Sequence, residues 1–175
     1  MFRKITLPLC AVVLLLTQCD DVEDLLTFHV NDHTQIRIES ASPLSLPLEV
    51  ATPAVTSNSQ QQYQNNNTRA DLVRDVKLEQ LKLTIEAPAA KTFSFLKSIH
   101  IYIASSEAEE IELASLENIS STASVLELVP TNQKLDAYAK SPSYTLRTEV
   151  VTDETLTQDV DVLVDLKFRV TADTF

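Results

Sequence analysis

The sequence predicts an all-β chain: an antiparallel β-sandwich of the immunoglobulin-like kind, about eight strands, with at most one or two short helices. Three observations predict it. The clearest is the C-terminal stretch. There Val160, Val162, Val164, Leu166, Phe168 and Val170 share one parity, and Asp159, Asp161, Asp165, Lys167 and Arg169 share the other, with Leu163 alone breaking the outward row. A strand apolar on one face and charged on the other belongs to an antiparallel sheet with one wet face. Second, short alternating segments recur along the chain, separated by Pro, Asn, Asp and Ser. That spacing suits a sandwich first and a closed barrel second. Third, helix-like stretches are few and short.

Taken in order, Leu26 to Val30 alternates as a first strand, Asn31-Asp32-His33 is a turn signal, and Gln35 to Glu39 alternates with Ile36 and Ile38 inward. Pro43, Pro47 and Pro53 punctuate the next stretch. Proline lacks a ladder donor, so a strand within Leu44 to Val50 belongs on a sheet edge. Thr56 to Thr68 is Ser/Gln/Asn-rich with one aromatic residue and reads as a mobile loop, or as a Gln-rich extension of a helix. Arg69 to Arg74 reads as a helical turn opened by Thr68.

Val76 to Ile85 is a long strand whose apolar phase flips at Glu79-Gln80: Val76 and Leu78 share one parity, Leu81, Leu83 and Ile85 the other. A one-residue phase change predicts a β-bulge there. Pro88 ends the strand. Phe93, Phe95, Ile99, Ile101 and Ile103 form the next inward row, with Lys97 the exception. Glu110 to Leu116 and Val125 to Val129 are shorter strands around the Ser/Thr-rich loop Asn118 to Ser124. Gln133 to Lys140 reads as a short helix with Leu135 and Tyr138 on one side. Tyr144, Leu146, Thr148 and Val150 alternate again.

Composition removes whole classes of activity. Glycine is absent from all 175 residues. Phosphate-cradling loops, dinucleotide fingerprints and nucleophile elbows need glycine for tight turns or close backbone approach. Turns must instead use Asn, Asp, Ser and Pro. The formal charge is −11, which disfavours nucleic acid and anionic headgroups as partners.

The N-terminus divides the chain into residues 1–18, a secretory signal; 19–25, an acidic spacer; and 26–175, a single β domain. Arg3 and Lys4 precede an apolar run from Ile5 to Thr17, shorter than the roughly 20 residues that cross a bilayer. No small-residue cleavage site follows. Cys19 stands in its place, followed by Asp20, Asp21, Glu23 and Asp24. Cleavage before Cys19 would also remove Cys10, leaving Cys19 as the one remaining cysteine and taking the net charge from −11 to −13. The domain then has no disulfide and no thiolate chemistry.

Residues 1–21 resemble a bacterial lipoprotein signal of the Bacteroidota type, whose looser box accepts Gln18 before the cysteine. The resemblance implies diacylglyceryl transfer to Cys19 and an export signal in Asp20, Asp21, Glu23 and Asp24. It also implies a place in the cell envelope, anchored to the outer membrane and facing the cell surface. Two or three acyl chains make a stable tether, whereas one holds marginally. The run Val76 to Ala114, with its Leu-rich strand, Ala-Pro and Phe-x-Phe-Leu-x-x-Ile-x-Ile, resembles β-sandwich lipoproteins of the same group and implies fold and localisation, not activity.

Within the domain, His29 and His33 flank Asp32, a cluster of metal-ligand type. They straddle a strand end and a turn, and His100 has outward parity, so all three histidines read as surface residues. Asp159, Asp161 and Asp165 form an acidic row, but alternate side chains on a strand stand nearly 7 Å apart, and Lys167 and Arg169 continue the row. No metal, cofactor or catalytic residue is expected. The expected function is a non-enzymatic binding or structural role, docking an envelope protein or self-associating, with the proline-rich edge at Ser42 to Val55 as the place to dock. The alternative is an apolar-ligand or lipid carrier, which the bulky inward residues Phe93, Phe95, Leu166 and Phe168 disfavour.

Overall fold

The computed structural model describes residues 26–40 and 45–173; Cys19 and the acidic run Asp20, Asp21, Glu23 and Asp24 lie outside the described residues. The strands are β1 (Leu26–Ile38), β2 (Leu48–Ala51), β3 (Val55–Thr56), β4 (Val73–Ala87), β5 (Leu96–Ser105), β6 (Ala108–Leu116), β7 (Val125–Pro130), β8 (Ser143–Thr152) and β9 (Val160–Ala172). Two short helices accompany them, α1 (Ser59–Asn65) and α2 (Asp136–Lys140). The sheet order is β1-β9-β4-β7-β6-β5-β8-β2, with β3 also on β8, and the pairs are antiparallel. The all-β, antiparallel expectation holds.

The sheet curls on itself. Tyr144 of β8 and Phe168 of β9 lie far apart in the strand order, yet their rings meet edge to face with centroids 6.2 Å apart. The terminal strands β1 and β2 share no register among the described residues, so the curl is a half-barrel and not a closed one. Both inner surfaces feed one cluster of buried side chains, including Val76, Leu81, Leu83, Ile101, Val162 and Val164.

The turn expected at Asn31-Asp32-His33 is not formed; β1 runs through it for 13 residues. Phe28, Val30, Asp32, Ile36 and Ile38 are all even-numbered and all buried. β9 pairs with every residue in unbroken register, from Leu26↔Ala172 to Ile38↔Val160. A continuous ladder and one uninterrupted inward row outweigh local turn propensity.

The loop expected over Thr56 to Thr68 is also corrected. It holds the second residue of β3 and all of α1, and the single aromatic decides the matter. Tyr63 is 1% exposed, meets Phe28 edge to face and donates its hydroxyl to the Ala139 carbonyl of α2 at 3.0 Å. Burying one such ring contributes about 2–3 kcal/mol, enough to seat a seven-residue polar helix that has no side-chain cap. A 3-10 turn over Ala70–Leu72 follows, inside the stretch expected to turn.

The remaining expectations are met except for the strand start at Phe93 and Phe95. β2 begins directly after Pro47, is four residues long and ends the strand order, as an edge strand should. The phase flip in β4 is a register shift: Leu78 pairs with Phe168 and Gln80 with Lys167, leaving Glu79 extra. β4 ends just before Pro88. Phe93 and Phe95 are fully buried, but in a 3-10 turn that precedes β5 and not in the strand itself. Lys97 is the extra residue where the β5–β8 register steps from Leu96↔Thr152 to Ser98↔Val151, which explains its break in the row. Without glycine, the left-handed positions fall to Ser45, Asn67, Asn118 and Asn132, with φ between 52° and 59°. Among the described residues no helix is long and apolar enough to cross a membrane.

Candidate functional site

Strand parity sends the residues singled out in the sequence to separate places. On β1, Asp32 faces inward while His29 and His33 face outward, so the three do not converge. His29 Nε2 lies 2.7 Å from Glu79 Oε2, and Lys167 Nζ donates to the other oxygen of Glu79 at 2.9 Å. The hydrogen bond from Lys167, opposed by desolvation and helped by His29, holds the Glu79 carboxyl below its usual range. The bulge at Glu79 therefore presents an outward carboxylate to Lys167 of the adjacent β9 and to His29 of β1 beyond it. The three aspartates near β9 have different partners: Asp159 accepts from the Ser40 amide, Asp161 from Arg37, and Asp165 pairs with Lys82 at 3.3 Å. No group of three potential metal ligands assembles among the described residues.

The densest constellation lies on the outer face of β2, β8, β5 and β6, and only its His100 was singled out in the sequence. Arg147 of β8 donates from Nε and Nη2 to Glu110 of β6, with a shortest contact of 2.8 Å, and from Nη1 to Glu49 of β2 and Glu149 of β8 at 3.3 Å each. Its guanidinium carbon sits 4.0 Å from the ring centroid of Tyr102 on β5. One planar cation thus ties three strands together over the ring of a fourth, a geometry suited to arginine. The hydrogen bond to Arg147 also lowers the Glu110 carboxyl.

Next to Tyr102, the His100 ring stacks at an interplanar angle of 19°. Its Nδ1 lies 2.9 Å from Glu112 and its Nε2 2.7 Å from Glu117. Partial burial opposes the imidazolium, but the two carboxylates prevail and raise the His100 pKa. Glu112 is lowered in return. The sequence holds one signal for this surface, the outward parity of His100 and Arg147. The strand order that brings Glu49, Glu110, Glu112 and Glu117 to them is not encoded in any local pattern.

Behind this face, α1 and α2 cover one end of the core. Ser59 Oγ and Tyr63 Oη both donate to the Ala139 carbonyl, and Tyr144 Oη donates to the buried Asp32 carboxylate at 3.0 Å. Burial pushes the Tyr63 hydroxyl up to about 12, and burial beside Asp32 pushes Tyr144 up further. The free space beneath the helices, between Val30, Ile103, Leu135 and Phe168, is about 10 Å³, room for about one water molecule. An apolar-ligand carrier needs a cavity of roughly 300 Å³ or more.

Chemically, the outer face offers fixed carboxylates, two of them on a histidine and three on an arginine. Such a surface recognises charge and shape. No protein-family model matches the chain, and no curated protein matches its sequence.

Proposed function

We propose that the chain is a lipid-anchored protein of the bacterial cell envelope, of the Bacteroidota type, with a non-enzymatic binding or structural role. The observation that carries this reading is the N-terminal order: basic start, short apolar run, Cys19, then Asp20, Asp21, Glu23 and Asp24. The membrane partner is reached through lipid on Cys19. The acidic run serves as the export signal that sends the protein to the cell surface.

A docking role is favoured over a carrier role by the space of about 10 Å³ under the helical cap. The docking edge is β2, a terminal strand of four residues next to exposed Leu46. In this reading the curled sheet works as an immunoglobulin-like sandwich. Its arms, β1-β9-β4 and β6-β5-β8-β2, face each other across one core and are joined by β7.

The thiolate is the nucleophile in lipid transfer, and a hydroxyl is a far poorer one. Metabolic labelling with an alkynyl fatty acid should therefore mark the wild-type chain and not Cys19→Ser, while both retain the same β-sheet signal. Equal label in the two chains, or an intact mass that still contains Met1 to Gln18, sinks the reading.

A further inference from the structure

We propose that the groove where β4 and β7 part is a docking site for an extended, acidic peptide segment of a partner protein, added as a short strand along β4 at Leu78. The proposal goes beyond the binding reading above, adding a docking place separate from the β2 edge, and is independent of the lipid.

The groove follows from the register. β4 and β7 pair only from Leu81↔Leu128 to Thr84↔Val125; beyond Leu81, β7 turns away to pair with β6 through Val129 and Pro130. The opening left behind has a volume of about 360 Å³ and is lined by Lys77, Leu78, Val129, Pro130 and Arg169, among others. Val129 is 63% exposed, the most exposed large apolar side chain among the described residues.

The backbone on the β4 side faces this opening. Val76 accepts from the Leu135 amide and donates to Asp136 Oδ1, so both its groups point away from β9. Backbone direction alternates along a strand, so Leu78, two residues on and still before the bulge, turns its N–H and C=O the same way, into the groove. A sheet edge that offers a donor and an acceptor is what an incoming strand pairs with. This favours an extended polypeptide over a glycan or a free anion.

Charge selects the partner's sign. On a protein of net charge −11, the β4–β9 register sets two cations, Lys77 and Arg169, directly opposite one another. Like charges opposed across strands destabilise a sheet unless something answers them. The nearest carboxylate to Lys77 is Asp75 at 4.0 Å, and Arg169 has no carboxylate partner among the described residues. Glu79 also lines the groove, but it is engaged by His29 and Lys167, and Glu127 accepts from Gln80. The wall is therefore cationic and the floor apolar. That combination fits carboxylates alternating with small apolar side chains.

The test uses the full chain in mild detergent and a fluorescein-labelled Glu-Val-Glu-Val-Glu-Val peptide. Saturable binding should weaken with added salt. It should fall by about tenfold or more in Arg169→Glu and in Val129→Glu, both exposed and expected to melt like wild type. A Lys-for-Glu peptide, and one with proline in place of the central valine, should not bind, and exchange at the Leu78 amide should slow when the acidic peptide is present. Equal binding of the proline peptide, unchanged affinity in both variants, or binding of polygalacturonate in place of the peptide overturns the proposal. Tighter binding of a peptide with the sequence of Asp20 to Leu25 overturns the partner assignment, because the groove would then belong to the chain's own acidic run. Loss of label at Cys19 would leave these outcomes unchanged, so the two readings fail separately.

Discussion

His100 holds one carboxylate on each ring nitrogen, Glu112 and Glu117, and faces Glu149 across β8 while stacking on Tyr102. Its pKa is raised above the ordinary value of 6.5, so the folded state binds the proton more tightly than the unfolded chain does. The stability this contributes is fully present below the ordinary value and is lost as pH rises through the raised one. Glu112 is lowered, so its contribution is present above the ordinary carboxylate value and is lost as pH falls through the lowered one. Accordingly, His100→Gln should lower the melting temperature more at about pH 5.5 than at about pH 8.5. Equal loss at both values would mean that the ring acts by packing alone. Arg147 gives a second prediction. Lysine keeps the charge but not the fork or the flat face that lies on Tyr102, so Arg147→Lys should cost about 1–2 kcal/mol by urea denaturation. A wild-type midpoint would show that charge alone suffices. Neither residue announces this role in the sequence, because Arg147 meets Glu49 and Glu110 only through the order of strands distant in the chain.

At the scale of elements, what was legible is what leaves a mark in phase. The bulge at Glu79 shows as a change of parity between Leu78 and Leu81, and Lys97 shows as a charge in an apolar row. Both are extra residues in their ladders. The edge position of β2 was legible from Pro47 and its neighbours. The Asn31-Asp32-His33 turn misled because its residues suit turns, whereas the even-numbered row through Phe28, Val30, Ile36 and Ile38 already pointed to one strand. Asp32 could fill a place in that row only because Tyr144, more than a hundred residues away, supplies its donor. The Gln-rich tract misled for a related reason: one buried tyrosine outweighs a dozen polar neighbours. The bulge yields a test that separates phase from contact. Deleting Glu79 slides one half of β4 by a residue and turns Leu81, Leu83 and Ile85 outward, or else Val76 and Leu78. The deletion should abolish soluble folding. Glu79→Ala keeps the extra residue and loses only exposed ion pairs, which contribute little in water, so it should stay soluble and melt cooperatively. A soluble, cooperatively melting deletion variant, seen by circular dichroism, would show that the bulge does not set the register.

For the whole molecule, alternation predicted strands and their faces but not the curl, because curvature is a property of the order β1-β9-β4-β7-β6-β5-β8-β2 and of which ends come to face each other. The contact that reports the curl most directly is Tyr144 Oη to Asp32, from β8 on one arm to β1 at the far end of the other. Both residues are buried, at 3% and 7% exposure. A buried hydrogen bond is asymmetric in energy. Its net gain is modest, but removing one partner strands the other at a cost of about 1–3 kcal/mol. Tyr144→Phe leaves the carboxylate without its donor, and Asp32→Leu leaves the hydroxyl without its acceptor. Each single variant should lower the unfolding free energy by that amount. The double variant replaces both with apolar groups in an apolar surround, so it should lose clearly less than the two singles together. Urea denaturation of the four chains measures the difference. If the losses add to within about 0.5 kcal/mol, the two side chains act independently, and the curl is held by the apolar contacts around Phe168 without help from this pair.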